Sequence, residues 1–285
     1  MFIFNKTSFQ NKMSFALTHF AEKIIINKDF ADLLATELKS NNLVAGTILL
    51  AADEILLKAD EIGARFPGRY DIVLVADRFE SSGGKINLSG SNGAALGPDK
   101  SPAGIGDKGE DAGSEPGAHG GLGGAGKHGH EGKDGEDGKN IKVFCSELKL
   151  EGKDIISNGG NGGIGGKGGR GGPGGKGGPG GPPGKGGQGG IGGKGGKGGN
   201  GGKIELLFCS APNGFVVSDH LMSSGGNRGT GGEGGEGGFS AVGTLGKGSM
   251  GEIGVPGVNS IPNVRQVQFS ELWEKVSVEF KTIPA

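Results

Sequence analysis

Histidines, cysteines and a run of lysines are the side chains of this 285-residue chain whose spacing bears on chemistry. His128 and His130 alternate, with His119 shortly before them, a spacing that can seat a metal ion. No cysteine and only scattered carboxylates accompany them, so surface histidines are the expectation and no metal is assigned. Ser218-Asp219-His220 has the residue types of a hydrolase triad, but sequence neighbours rarely converge on one point in space. Cys145 and Cys209 occupy matching places in VFCS and LFCS. They read as small apolar residues stacked in a core, with a disulfide as the lesser alternative. The chain lacks GxSxG, HExxH, CxxC and GxxxxGK[ST], and GxGxxG strings inside glycine runs are by-products of the repeat. No catalytic residue and no cofactor are assigned, and the chain is not expected to be an enzyme.

The lysines belong to a repeat. Gly159 to Lys203 is fifteen consecutive Gly-Gly-X triplets, interrupted once, at Pro183. Three residues per turn would place every X on one edge, so Lys167, Arg170, Lys176, Lys185, Lys194 and Lys197 form a basic edge. No acidic residue lies between Gly159 and Lys203. Such an edge either meets an anionic partner, a polysaccharide or phosphate-rich surface, or is balanced inside the molecule. Balancing carboxylates are at hand in Asp107, Glu110, Asp111, Glu115, Glu131, Asp134, Glu136 and Asp137. Pro182-Pro183 falls near the midpoint of the run and is read as its reversal, because proline fixes φ and cannot donate. Pro182, Pro183 and the break at Ser240 to Val242 are candidate contact turns.

A strict period of three has a physical cause. A flexible linker needs glycine but has no reason to keep a period. A period means that one edge in every turn must lack a side chain because another backbone comes close. Glycine-rich excursions at 93–139, 158–203 and 224–258 each read as two arms, giving about six left-handed polyglycine-II arms, the middle ones about 70 Å long. A lone arm has no internal hydrogen bonds, so order requires neighbours that take its amides and carbonyls. A bundle within one chain is therefore expected, against a collagen-like trimer, which needs one glycine per triplet, or a disordered tract.

Between the excursions lie three similar segments, from Arg69, Gly138 and Gly201, each with an apolar strand-like run, a polar break and a second short run. Half-units precede them from Gly46 and follow them from Asn263. Ile72 to Val75 and Ile204 to Phe208 are short and bulky or β-branched, which favours strand. The self-similarity suggests stacked rungs around one core. The fold class expected is mainly β and non-regular: a β-solenoid-like core with a polyglycine-II bundle and a small helical N-terminal cap. Residues 1–45 are assigned to that cap or to an attachment segment, with Asn27 capping a helix whose Phe30, Leu33, Leu34 and Leu38 share a face. Residues 46–285 hold the rungs and arms.

Composition narrows the partners. Glycine accounts for 68 residues, the hydrophobic class for only 33%, and the formal net charge is −1, so a large globular core and nucleic-acid binding are both disfavoured. No aromatics interleave with the basic residues, as single-stranded nucleic acid would require. No apolar run approaches the ~20 residues of a membrane span. Lys6, Lys12 and His19 interrupt the N-terminal apolar stretches, a poor match to a signal peptide.

The alternation of strand-like segments with GGX runs resembles the polyglycine-II domains of T-even-type phage tail-tip adhesins. The arm geometry is also similar to snow-flea antifreeze proteins and to the glycine-rich domain of Obg GTPases. The likeness covers roughly Gly93 to Gly257 and rests on the triplets. It implies a non-enzymatic structural or adhesive role as a surface or assembly component, extracellular or virion-associated. A receptor-binding tip or an ice-binding protein are the alternatives. A cell-surface glycan or protein receptor, and a homo-oligomer or filament, are the partners implied.

Overall fold

A computed structural model describes residues 16–43, 45–58, 61–62, 69–94, 103–152, 154–212, 216, 219–241 and 246–282. Lys6, Lys12, Ser218 and Val242, which the sequence reading used, lie outside the described residues. In chain order the elements are β1 (Leu17–Ile26), α1 (Lys28–Ser40), β2 (Ala45–Lys58), β3 (Glu61–Ile62), β4 (Arg69–Ser82) and β5 (Lys85–Asn87). They continue with β6 (Ile141–Lys149), β7 (Ile155–Ile156), β8 (Ile204–Ser210), β9 (Leu221–Met222), β10 (Asn263–Gln266) and α2 (Phe269–Thr282).

Two parallel sheets organise the chain. One has six strands in the order β1-β2-β4-β6-β8-β10, the other four in the order β3-β5-β7-β9. Register stacks like on like: Ile48, Ile72, Ile141 and Ile204 are successive partners, as are Leu50, Leu74, Val143 and Leu206. A parallel sheet covered on both faces needs continuous apolar runs rather than alternation. Here Ile48, Leu50, Ile72, Leu74, Phe79, Ile141, Val143 and Leu206 fill one core together with Ala31, Leu34 and Leu38 of α1. Leu49, Ala51, Val73, Val75, Phe144 and Leu207 face the other way, against Val267 and the Leu272 and Val276 pair of α2.

The expected fold class is corrected by this architecture. In place of a mainly β, solenoid-like chain with a polyglycine-II bundle, the regular structure among the described residues is an α/β-type arrangement of six- and four-stranded parallel sheets and two helices. The glycine-rich segments carry almost no helix or strand, and they extend the sheets' hydrogen-bond ladders. From the four-stranded sheet the ladder runs on through Leu88 N–H to Ile156 O (2.7 Å), Gly90 to Asn158 (2.8 Å) and Gly93 to Asn161 (2.7 Å). Into the six-stranded sheet it runs through Gly135 N–H to Lys197 O, Gly138 to Asn200 and Ile141 to Lys203, at 2.8–2.9 Å.

Both ends of the chain also differ from expectation. Residues before 46 are not a separate helical cap, because β1 pairs parallel with β2 from Leu17↔Ile48 to Ile26↔Leu57. Asn27 caps α1, its side chain accepting from Phe30 N–H at 3.0 Å. Leu33 is exposed rather than on the buried face of Ala31, Leu34 and Leu38. The C-terminal half-unit, expected to be strand-like, turns helical after Gln266, and the four-residue spacing of Leu272 and Val276 puts both under the helix.

Candidate interaction surface

Reversal of the middle excursion occurs at Pro179-Gly180, not at Pro182-Pro183. Gly181 N–H donates to Gly178 O at 2.8 Å and Gly180 has φ +74°, which with proline before it matches a type II turn. From that turn the two arms pair antiparallel at every third residue: Gly184 to Gly175, Gly190 to Gly169 and Gly196 to Gly163, each at 2.8 Å. Pro182 lies beyond the turn, exposed, its carbonyl accepting from Gly120 N–H at 3.1 Å, and Pro183 is half-buried. The first excursion reverses in the same way at Pro116-Gly117, where Gly117 has φ +78° and Ala118 N–H reaches Glu115 O at 3.3 Å. Both sites read X-Pro-Gly-X, a turn signal that the Pro-Pro pair obscured.

The expected basic edge is split in two. A Cβ at Gly162 would come within 2.2 Å of Gly196 O on the return arm, and one at Gly163 within 2.3 Å of Ala94 O on the first excursion. The third position of each outgoing triplet therefore points away from the return arm. On the return arm, a Cβ at Gly189 would meet Gly235 O at 1.9 Å and one at Gly190 would meet Lys127 O at 2.0 Å. The outgoing arm lies between those two neighbours, donating from Gly168 to Glu233 O and from Gly169 to Lys127 O. Return-arm side chains thus point away from it. Lys167, Arg170 and Lys176 share one face of the molecule, and Lys185, Lys194 and Lys197 the opposite one.

Each face is partly neutralised by its neighbours. Lys167 lies 3.5 Å from Glu233 and Lys194 lies 3.2 Å from Glu252, both carboxylates coming from the third excursion. Lys176 N–H donates to Asp111 Oδ1 and Lys197 N–H to Asp134 Oδ1, both at 2.7 Å. Lys108 Nζ stands 2.6 Å from Asp111, and that contact, with the Lys176 amide, holds the Asp111 carboxyl below the usual range. Arg170 and Lys185 are exposed, and among the described residues neither has a carboxylate within ion-pair distance.

The side-chain oxygens of Asp and Asn form a system the sequence reading missed. At several third triplet positions the amide, which takes no partner from a neighbouring glycine segment among the described residues, donates to an Asx side chain instead. Asn161 N–H donates to Asn92, Asn227 N–H to Asn161, Asn200 N–H to Asp137, Lys203 N–H to Asn140 and Val258 N–H to Asn200, at 2.6–2.9 Å. The signal was present as Asn or Asp recurring every third residue at Asn158 and Asn161 and at Asp134, Asp137 and Asn140.

Other candidates resolve simply. His119, His128 and His130 are all exposed, and no cluster of three metal-binding side chains occurs among the described residues. Cys145 and Cys209 are free thiols. Cys145 pairs in register with Phe208, so Cys209 falls one step further and on the other sheet face. Burial raises both thiols, leaving them poor nucleophiles. His220 does meet an acid, Asp154, at 3.1 Å from Nδ1, and buried Ser81 donates to the other oxygen of that carboxylate. Here the carboxylate stands between serine and imidazole, whereas proton abstraction requires the imidazole to stand between. A cavity of about 830 Å³ is lined by Asp71, Asp134, Asp137, Asn140 and Lys203. Its three aspartates are already engaged, Asp134 and Asp137 by the Lys197 and Asn200 amides and Asp71 by the backbone and side-chain amides of Asn140 at 2.8 and 3.1 Å.

Comparisons add little. No family model and no curated protein matches the chain. Among solved structures it is similar to the nine-helix polyproline type II springtail antifreeze protein from Granisotoma rainieri, at 22% identity. That match covers 61% of this chain and 96% of the other, with a TM-score of 0.11, which carries no argument about fold or activity. The resemblance to phage adhesins finds no support among these comparisons. Among the described residues no helix is long and apolar enough to cross a membrane.

Proposed function

We propose that the protein is a non-enzymatic structural and adhesive component that meets its partner through the charged faces of its glycine-rich layers. What supports this reading is the display of side chains. Every third residue of the middle excursion faces outward, and the backbone bonds on either side fix its position without a packed core. A surface held so rigidly loses little conformational entropy on contact. Among the described residues Arg170 and Lys176 on one face, and Lys185 and Lys197 on the other, are exposed cations whose charged groups make no ion pair, the contacts of Lys176 and Lys197 to Asp111 and Asp134 being through their backbone amides.

An anionic polysaccharide is the partner chemistry that such spaced cations suit, because each site adds a screened but cumulative attraction. The test uses an immobilised sulfated polysaccharide and two triple variants, one per face: Lys167, Arg170 and Lys176 to Gln, and Lys185, Lys194 and Lys197 to Gln. Attachment should weaken steeply with salt and should be lost in one triple variant, since a flat partner engages one face. Salt-insensitive attachment that survives in both would overturn the electrostatic reading.

A further inference from the structure

Four Asn-Gly pairs occur among the described residues, and all four make the same double grip on the next segment. Each pair holds a single residue there by both of its backbone groups. Asn92 Oδ1 accepts from Asn161 N–H at 2.8 Å while Gly93 N–H donates to Asn161 O at 2.7 Å. Asn158-Gly159 holds Ser224 and Asn161-Gly162 holds Asn227, every bond 2.8 Å long. Asn200-Gly201 holds Val258, with both bonds at 2.9 Å. Asp134-Gly135 and Asp137-Gly138 grip Lys197 and Asn200 in the same manner. The grip therefore belongs to the ladder, and asparagine brings to it a chemistry of its own.

We infer that these four asparagines are deamidation sites that the ladder holds shut. Asparagine is thermolabile, and a following glycine has no side chain to shield its amide. In the reaction the glycine nitrogen attacks the asparagine side-chain carbonyl carbon and closes a succinimide ring. The bond from Cγ to Nδ2 breaks, and that nitrogen leaves as ammonia with the proton of the glycine amide. Water then opens the ring at either carbonyl, giving aspartate or isoaspartate. In the folded chain both reacting groups are tied to one residue, the side-chain oxygen to its N–H and the glycine N–H to its carbonyl. Reaction thus waits on a local opening that breaks both bonds. The two products differ in consequence. Aspartate keeps an acceptor in place, as Asp134 and Asp137 already do. Isoaspartate adds one carbon to the main chain and throws the rest of its arm out of the period of three, so a brief opening leaves a permanent fault.

Peptide mapping by mass spectrometry on the full chain, aged in mildly alkaline buffer with and without urea, tests this independently of any attachment assay. Conversion at Asn92, Asn158, Asn161 and Asn200 should be slower in the folded chain by roughly tenfold or more. Val258→Pro removes the amide that Asn200 accepts, and proline suits an extended arm. That variant should speed conversion at Asn200 and leave Asn158 and Asn161 unchanged. Protection of glycine amides from hydrogen exchange shows that it is folded. Equal rates with and without urea overturn the inference, whether or not the proline variant folds. So does a folded Val258→Pro chain in which Asn200 converts no faster than in the unmutated protein.

Discussion

The sheet half and the glycine half of this molecule share one set of ladders but are packed by opposite means. In the sheets, side chains alternate between faces with period two, and the space between layers is filled by Leu50, Leu74, Phe79 and their neighbours. In the glycine half the period is three and the space between layers is filled by backbone itself, carbonyl against α-carbon. The first kind of packing fails when atoms are removed, the second when atoms are added. One sequence therefore carries two contrasting mutational sensitivities.

The largest effect should come from adding atoms on the glycine side. In Gly193→Val the new Cβ would lie 1.8 Å from His130 O, a backbone atom that cannot swing aside. Overpacking usually costs ~1–3 kcal/mol, and this case should exceed it and abolish order in the arms. Trypsin cleavage after Lys167, Arg170 and Lys185 would appear only in the variant. Ready cleavage of the unmutated protein at those sites would remove the contrast between the halves.

Removing atoms on the sheet side comes next. Phe79 is fully buried, and Phe79→Ala should cost about 3–5 kcal/mol, read as a shift in the denaturant midpoint. Lys176→Ala, on an exposed triplet position, should change stability by less than ~0.5 kcal/mol. Comparable losses in these two variants would mean that the arms' side chains bear on the fold after all.

A smaller effect tests the Asx contacts. Asn161→Ala removes the acceptor of the Asn227 amide and should cost about 0.5–1.5 kcal/mol, whereas Gln188→Ala, also exposed at a third position, should be near neutral. Equal outcomes would deny the Asx side chains a role in register.

The smallest effect is electrostatic. Glu54 is held below the usual carboxylate range by Lys23 first and then Arg78, and Asp111 by Lys108. A depressed folded value means that their stabilisation is present above the ordinary carboxylate range and is lost as pH falls through the lowered values. Acid titration of the unfolding midpoint should show that loss, reduced in Glu54→Gln and at high salt. A midpoint independent of pH in the acid range would refute it.

Local readings of the sequence fared better than global ones. Ile72 to Val75 and Ile204 to Phe208 are strands, and Asn27 is an N-cap, because each depends on neighbours a few residues away. Matching VFCS to LFCS failed for a different reason. The run from Ile204 has one more residue before its cysteine than the run from Ile141, and register follows the leading isoleucines. A one-residue slip moves every following side chain to the other face. The basic edge failed because one-dimensional periodicity cannot tell which layer an arm joins; that depends on the turn, and Pro179-Gly180 places the reversal between Arg170 and Lys185. Both charged faces, and the Asx contacts that join them to other excursions, depend on segments far apart in the chain.

The antiparallel pairing around Pro179-Gly180 also sets a rule for how this molecule can change length. Every bond joins residues equally far from the turn, and every third residue must stay in phase with the arms on both sides. A single inserted residue, or a triplet on one arm alone, throws the remaining arm out of step. A triplet added to both arms keeps every existing partner and moves the tip outward. Reach is thus adjustable only in whole steps taken on both arms at once, and the Pro-Gly tip travels unchanged to each new position.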